Sequence, residues 1–170
     1  MLPARRYLVC ASSLAVLACF ACQDRTSNTE EANKETVRQL YAAIDAQDYD
    51  RINPLISQDM VMTVAGMPGT LDGDGAIAMM KEFYTAFPDL THVIEDMVAE
   101  GDRVVIRVRL EATHQGEFMG IPATGKKVSY AGMQILTIED GVCTGNWAID
   151  DNLTFMMQLG MQLVPAESRT

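Results

Sequence analysis

The stretch RVVIRVRLEATH, residues 103–114, decides the fold because its apolar and polar residues alternate almost without a break. Successive side chains of a β-strand point to opposite faces of the sheet, so the alternation assigns each residue to a face. The apolar side chains are Val104, Ile106, Val108, Leu110 and Ala112, and the charged ones are Arg103, Arg107, Arg109 and Glu111. The pattern predicts a long strand with one buried side and one solvent-facing side.

Further strand-like segments lie on both sides of this stretch. Residues 91–99 precede it across the tight turn EGD at residues 100–102. Residues 127–138 and 142–151 form a second hairpin across the turn EDG at residues 139–141, and residues 60–65 are a candidate strand. Strands joined by such short turns pair with each other in antiparallel fashion. The sequence therefore predicts an antiparallel sheet.

The other apolar residues recur at helical spacing. The capping-box pattern SNTE at residues 27–30 predicts the start of a helix of about five turns. Its apolar stripe is Val37, Leu40, Tyr41 and Ile44. We expect a short helix at residues 48–56, a helix that Asp74 caps and Pro88 ends, and a short final helix at residues 153–159. Helices packed on one face of a curved antiparallel sheet make an α+β fold with a conical cavity.

Composition limits the classes of function. The chain has 170 residues, which suits one domain, and 48% of them are hydrophobic, as in ordinary globular proteins. Its 13 Lys and Arg against 23 Asp and Glu give a net charge of −10. Binding to nucleic acid needs a basic face that displaces counterions from phosphates. We therefore expect no nucleic-acid partner.

The first 22 residues have the layout of an export signal. A short basic pair at residues 5–6 precedes an apolar run at residues 7–21 that is too short for a comfortable membrane span. The segment VLAC at residues 16–19 resembles a bacterial lipobox, so we expect lipidation of Cys19 rather than Cys22. A plain signal peptide cut near Ala21 is the alternative. With lipidation at Cys19, the protein would be exported to the periplasmic side of the cell envelope and held to the membrane by its lipid anchor alone.

These features divide the chain into four segments. Residues 1–22 are the signal with its lipobox, residues 23–32 a polar tether, residues 33–160 the folded domain and residues 161–170 a C-terminal tail.

Several local motifs resemble functional sites but lack a residue that the site requires. Residues 120–126 match most of a phosphate-binding P-loop, but Lys127 stands where Ser or Thr should bind magnesium. Residues 72–75 resemble the start of a calcium loop, whose twelfth position is Phe83 instead of a glutamate. Neither His92 nor His114 has a metal-ligand neighbour at helical or strand spacing, so we expect no metal site.

Two side chains remain as candidates for chemistry. His114 shares the parity of the apolar residues of its strand, which predicts an inward imidazole; the alternative is a histidine hydrogen-bonded at the sheet rim. Asp151 shares the parity of Cys143 and Trp147, which predicts a carboxylate facing the apolar interior. Desolvation there would raise its pKa and suit it to general acid–base work. The alternative is an N-cap for the final helix.

A family resemblance agrees with this outline. The chain resembles the SnoaL-like polyketide cyclases, also called ester cyclases, which belong to the nuclear transport factor 2-like superfamily. The resemblance extends from about residue 33 to residue 160. It lies in FPDL at residues 87–90, EGDRV at 100–104, THQGEFMGIPATGK at 113–126, Trp147, Asp151 and QLG at 158–160.

The resemblance implies a fold, a chemistry and a site. It implies a conical barrel in which a curved antiparallel sheet wraps around the N-terminal helices. It also implies ring closure by intramolecular aldol condensation, or a related isomerisation or hydrolysis, without metal or cofactor. Asp151 matches the aspartate that removes a proton beside a carbonyl, and His114 matches a characteristic family position. A hydrophobic small molecule would contact Trp147, Tyr84, Tyr130, Phe118 and Met133, and the protein would be a homodimer.

The sequence leaves two functions open. One is a cofactor-free enzyme acting on a small apolar carbonyl compound. The other is an envelope lipoprotein that binds a hydrophobic small molecule or a partner in its cone without catalysis.

Overall fold

The computed structural model describes residues 13–164, with side chains from residue 28 onward. Within these residues, four α-helices and five strands follow one another. They are α1 (Ser13–Asp45), α2 (Tyr49–Ile52), a 3-10 turn (Asn53–Leu55), β1 (Ile56–Val64), α3 (Gly73–Ala86), β2 (Thr91–Glu100), β3 (Arg103–Thr113), β4 (Lys127–Glu139), β5 (Val142–Asp150) and α4 (Asn152–Leu159). The predicted α+β class is confirmed.

The five strands form one curved, unclosed sheet in the order β1-β5-β4-β3-β2. The pairs β2–β3 and β4–β5 are antiparallel, as their hairpin turns predict, and the pair β3–β4 is antiparallel as well. The exception is β1, which pairs with β5 in parallel. No tight turn joins these two strands, so the rule that strands of a hairpin pair in antiparallel fashion does not apply to them.

The apolar face of β3 lies at the centre of the core, as its alternation predicts. Val104, Ile106 and Val108 are fully buried. Val37, Leu40 and Tyr41 on α1 belong to the same buried cluster. Burying an aliphatic side chain of this size contributes about 1.5–3 kcal/mol, so this contact between helix and sheet is a main source of stability.

Two helix starts differ from their predictions. The described part of α1 runs from Ser13 through the capping-box residues 27–30 and the predicted tether. Its sequence contains no Gly or Pro, so no residue forces a break before Asp45. Helix α3 is capped by Asp72, whose side chain accepts a hydrogen bond from Gly75 N at 2.8 Å, rather than by Asp74. The segment boundaries at residues 22 and 32 stay predictions. No helix among residues 13–164 combines the length and apolar character needed to cross a membrane.

A bulge in β5 decides which of its residues face inward. Ile138 pairs with Cys143, but Thr137 pairs with Gly145, so Thr144 is an extra residue on β5. An extra residue reverses the parity of everything after it. Cys143 is therefore buried, and beyond the bulge the inward positions are the even ones.

The observed burial corrects three sequence predictions, two beyond the bulge of β5 and one on β4. Trp147 is 42% exposed and faces outward, whereas its neighbour Ala148 is buried. Asp151 is exposed, so its predicted interior position is wrong, and Asp150 points inward instead. Met133 is 44% exposed on the outer face of β4, because the buried residues of that strand are also the even-numbered ones.

Candidate functional site

The carboxylate of Asp150 lies against Gly132, its cross-strand partner on β4. A Cβ atom placed on Gly132 would stand 2.2 Å from Asp150 Oδ1, 3.2 Å from Leu110 Cδ1 and 3.3 Å from Val108 Cγ1. The missing side chain of Gly132 therefore leaves the space that the carboxylate occupies. The walls of this space are aliphatic side chains of β3.

The surroundings of the Asp150 carboxylate raise its affinity for a proton. Its Oδ1 is buried and has no hydrogen-bond partner among the described residues. Burial raises the pKa of Asp150, and the nearby His92 lowers it in part. A carboxylate that is desolvated and lacks hydrogen bonds holds a proton more strongly than one in water. The carboxyl group of Asp150 therefore holds its proton to a higher pH than an ordinary aspartate, which suits it to general acid–base work.

The charge on Asp150 affects the pKa of two nearby phenols. Burial is the main cause that raises the pKa of Tyr130, and the charge of Asp150 adds to it. Burial also raises the pKa of Tyr41 well above its ordinary value, with smaller contributions from Cys143, Asp150 and Asp45. Both phenols therefore remain protonated over the physiological range and can act as hydrogen-bond donors.

An aspartate–histidine pair lies beside them. Asp45, the last residue of α1, places Oδ1 at 2.6 Å from Nδ1 of His92. Both carboxylate oxygens of Asp45 also accept a hydrogen bond from the backbone N–H of His92, at 3.2 and 3.1 Å. The ring of Tyr41 packs edge-on against the imidazole, with centroids 5.2 Å apart. Helix and sheet together thus hold the imidazole in one orientation.

His114 points inward, as its parity predicts, and is fully buried directly after β3. Its Nδ1 lies 3.1 Å from Thr124 Oγ1 and accepts a hydrogen bond from Thr124 N at 3.4 Å. The ring of Phe87 stacks on the imidazole at 5.1 Å. His114 Nε2 is buried without a partner in the described part of the chain. The predicted inward position is confirmed, and the catalytic role of His114 stays a prediction.

Aromatic side chains fill the interior where β3 ends and β4 begins. Phe118 contacts Phe155 at 5.5 Å and Phe87 at 5.2 Å between ring centroids, and Tyr130 lies 4.6 Å from Phe155. Tyr84 is buried as well, and its hydroxyl donates to Leu90 O at 3.4 Å. Of the predicted ligand contacts, Phe118, Tyr130 and Tyr84 therefore lie inside the cone.

Asp151 has the alternative role that its position suggested. It is the N-cap of α4, and its side chain accepts a hydrogen bond from Thr154 N at 2.9 Å. This hydrogen bond lowers the pKa of Asp151. A carboxylate stabilised in its charged form at the surface is a weak base.

Sequence reasoning missed Asp150, Gly132 and the Asp45–His92 pair. Gly145 gives a detectable signal, because a glycine inside a strand pattern often marks a bulge. The contact between Asp45 and His92 joins α1 to β2, and no local sequence pattern predicts a contact between such distant segments.

Comparison with known proteins supports one family. The sequence model of the SnoaL-like polyketide cyclases matches residues 34–159. No curated protein matches the chain.

Three solved structures illustrate the similarity. AclR, a proposed hydroxylase from Streptomyces galilaeus, is 30% identical with a TM-score of 0.70, over 77% of this chain and 97% of AclR. IdmH, a proposed polyketide cyclase from Streptomyces antibioticus, is 31% identical with a TM-score of 0.70, over 76% of this chain and 99% of IdmH. A proposed SnoaL-like polyketide cyclase from Jannaschia sp. CCS1 is 27% identical with a TM-score of 0.72, over 79% and 95% of the two chains.

Proposed function

The chain belongs to the SnoaL-like polyketide cyclase family, and on that basis we propose that it is a cofactor-free acid–base enzyme acting on a small apolar carbonyl compound. The observation that carries this proposal is the buried Asp150 carboxylate, whose Oδ1 has no partner within residues 28–164. A buried polar atom without a hydrogen-bond partner destabilises the folded state by about 1–3 kcal/mol. A protein that nevertheless has such an atom often uses it in a functional site.

The proposed reaction begins with proton removal next to a carbonyl group. Asp150 accepts the proton, and the electron pair of the broken C–H bond forms an enolate. The protonated phenols of Tyr41 and Tyr130 are available as donors to the enolate oxygen, where negative charge develops. The enolate carbon can then attack a second carbonyl of the same molecule, which closes a ring, or be reprotonated at another position, which isomerises it.

The substrate class follows from the surroundings of Asp150. Leu110 and Val108 line the carboxylate site, and the aromatic cluster of Phe118, Phe155 and Tyr130 lies at one end of the same interior. Such walls favour a planar, apolar molecule, because flat rings pack well against aromatic faces. A polyketide-like compound with neighbouring carbonyl groups meets both requirements.

Hydrogen–deuterium exchange tests this proposal without knowledge of the natural substrate. The soluble domain would be incubated in D₂O with 1-indanone, 1-tetralone and ethyl acetoacetate, and loss of the α-proton signal would be followed by NMR. We expect the wild type to accelerate exchange of at least one of these ketones, and Asp150→Asn to abolish the acceleration.

The adjacent aspartate provides a matched control. Asp151→Asn makes the same substitution at the neighbouring aspartate, and Asn is an equally good N-cap. It should leave exchange unchanged. Exchange at the wild-type rate in Asp150→Asn, or no acceleration by the wild type with any of the three ketones, would contradict the proposal.

The second candidate function is binding without turnover. The fully buried Nε2 of His114, which has no partner in the described part of the chain, favours it, because a bound carbonyl oxygen would satisfy this atom. Native mass spectrometry of the purified domain distinguishes the two functions. A retained apolar molecule together with no exchange activity would support binding alone.

We also propose that the protein is exported and lipidated at Cys19. This rests on the leader sequence, because the side chain of Cys19 lies outside those that the structure describes. Metabolic labelling with a tagged fatty acid should fail for Cys19→Ala and succeed for Cys22→Ala. The opposite pattern would assign the modification to Cys22, and labelling of neither protein would favour a plain signal peptide.

A homodimer formed through the outer face of the sheet is the proposed assembly. This face carries an exposed apolar patch across β1, β5 and β4. Its members are Val61, Trp147, Ile149 and Met133, which are 42–56% exposed. Patches of this kind on a monomer are typical of association sites.

A further inference from the structure

The Asp45–His92 pair fixes which imidazole nitrogen is free. Nδ1 lies 2.6 Å from Asp45 Oδ1, so the carboxylate holds the Nδ1–H. The backbone N–H of His92 binds the same carboxylate, which prevents it from turning away. Nε2 is consequently the nitrogen left to exchange a proton with another molecule.

The groups around His92 come from three directions. Asp45 and Tyr41 face it from α1, and Leu110 is its apolar cross-strand partner on β3. The same Leu110 lies beside Gly132, against which the Asp150 carboxylate packs. The charge of His92 lowers the pKa of Asp150 in part. Only 9% of the His92 side chain is exposed. The imidazole therefore contacts one carboxylate and interacts electrostatically with a second in a largely dry environment, where interactions between charges are strong.

We propose that His92 is the acid that works together with Asp150, with Asp45 as its positioning residue. The inference rests on the proposed function and adds a second proton-transfer group to the site. The imidazolium Nε2–H protonates the substrate carbonyl oxygen while Asp150 removes the proton from the neighbouring carbon. The C–H and N–H bonds break, and O–H bonds form on the substrate and on Asp150.

With His92 as the acid, the oxygen of the proposed enolate takes up this proton as the charge develops, so the site holds a neutral enol instead of a free charge in a low-dielectric interior. His92 becomes neutral and keeps its Nδ1–H on Asp45. When the enol carbon attacks a second carbonyl, the proton on Asp150 passes to the oxygen of that carbonyl, and when the enol is reprotonated the same proton returns to carbon. In both cases the proton on the enol oxygen returns to Nε2, and the site is restored. A positioned acid of this kind contributes about 10²–10⁴-fold to a rate.

The pH profile of exchange separates this role from a structural one. The wild type needs an ionised Asp150 and a protonated His92, so its rate should rise and then fall with pH. His92→Gln should lower the maximal rate at least about 100-fold and lose the falling limb. Asp45→Asn, which retains one acceptor oxygen, should lower kcat with little change in KM. Thermal unfolding checks that both variants are folded.

The outcomes distinguish this inference from the proposed function. If Asp150→Asn is inactive but His92→Gln exchanges at the wild-type rate with an unchanged profile, His92 is not the acid and the base assignment survives. If Asp150→Asn remains active, the proposed function itself fails.

A measurement on the wild type alone is independent of activity. Side-chain ¹⁵N NMR of the neutral form of His92 should place its single proton on Nδ1, and Asp45→Asn should weaken that preference. A proton found on Nε2 in the neutral form would overturn the inference, because the nitrogen facing Asp45 would then be the acceptor.

Discussion

Replacing Gly132 by alanine should displace the base without unfolding the protein. The new methyl group would stand 2.2 Å from Asp150 Oδ1, whereas ordinary contacts begin at 3.4 Å. The carboxylate must therefore move by about 1.2 Å. Because the obstructing atom is the end of a side chain and not backbone, a change of rotamer is enough. The contacts at 3.2 Å to Leu110 and 3.3 Å to Val108 need adjustments of only a few tenths of an ångström.

The size of the effect follows from this displacement. A misplacement of about 1 Å in a catalytic group costs roughly 10²-fold in rate. That factor corresponds to about 2.7 kcal/mol of transition-state stabilisation. We expect Gly132→Ala to slow ketone exchange about 100-fold while its unfolding temperature changes little. The double variant with Asp150→Asn should be no slower than Asp150→Asn alone, because both changes remove the same group.

Gly145→Ala is the matched control. Gly145 lies on the neighbouring strand, and its added methyl group would be 3.3 Å from Thr137 Oγ1, without a contact to Asp150. This variant should exchange ketones at the wild-type rate. A wild-type rate in Gly132→Ala, measured on protein shown to be folded, would refute the claim that Gly132 makes room for a catalytic carboxylate.

Three further predictions concern stability and assembly. Asp151→Ala should lose about 1 kcal/mol of unfolding free energy, measured by urea titration, because α4 loses its N-cap, and should keep full exchange activity. The pKa of Asp150 is higher in the folded state than in the unfolded state, so ionisation of Asp150 at neutral pH destabilises the folded protein. This destabilisation disappears as the pH falls through the pKa that Asp150 has in the folded state. Asp150→Asn should thus unfold at a higher temperature than the wild type at pH 8, and calorimetry should find that the advantage shrinks toward pH 4. Trp147→Glu should shift the mass measured by light scattering from dimer to monomer, since it places a charge in the exposed patch; a dimer that persists would remove this face from the interface.

The strands were predictable where one rule governs them. The alternation in residues 103–114 assigns every buried residue of β3 correctly, because that strand is regular and one of its faces is covered by α1. The hairpin turns likewise predict two of the four strand pairings, β2–β3 and β4–β5. The parallel pairing of β1 depends on how distant segments come together, which local sequence does not encode.

The site was predictable only in part, for a physical reason. Parity counted from Cys143 is correct up to Thr144 and reversed after it, because the bulge adds one residue. Parity thus predicts Asp151 as the inward aspartate at the end of β5, whereas the structure turns Asp150 inward. His114 was placed correctly because its strand has no bulge between Arg103 and Thr113. The Asp45–His92 contact needs the packing of α1 against β2, and sequence spacing alone does not supply it.

The central claim is that the chain turns Asp150, and not Asp151, into its apolar interior. A ¹³C NMR titration of the aspartate carboxyl groups tests it most directly, with Asp150→Asn and Asp151→Asn providing the assignments. The structure predicts that Asp150 titrates above the ordinary aspartate range and Asp151 below it. An Asp150 carboxyl that titrates at or below the ordinary aspartate value, together with a raised Asp151, would contradict the account.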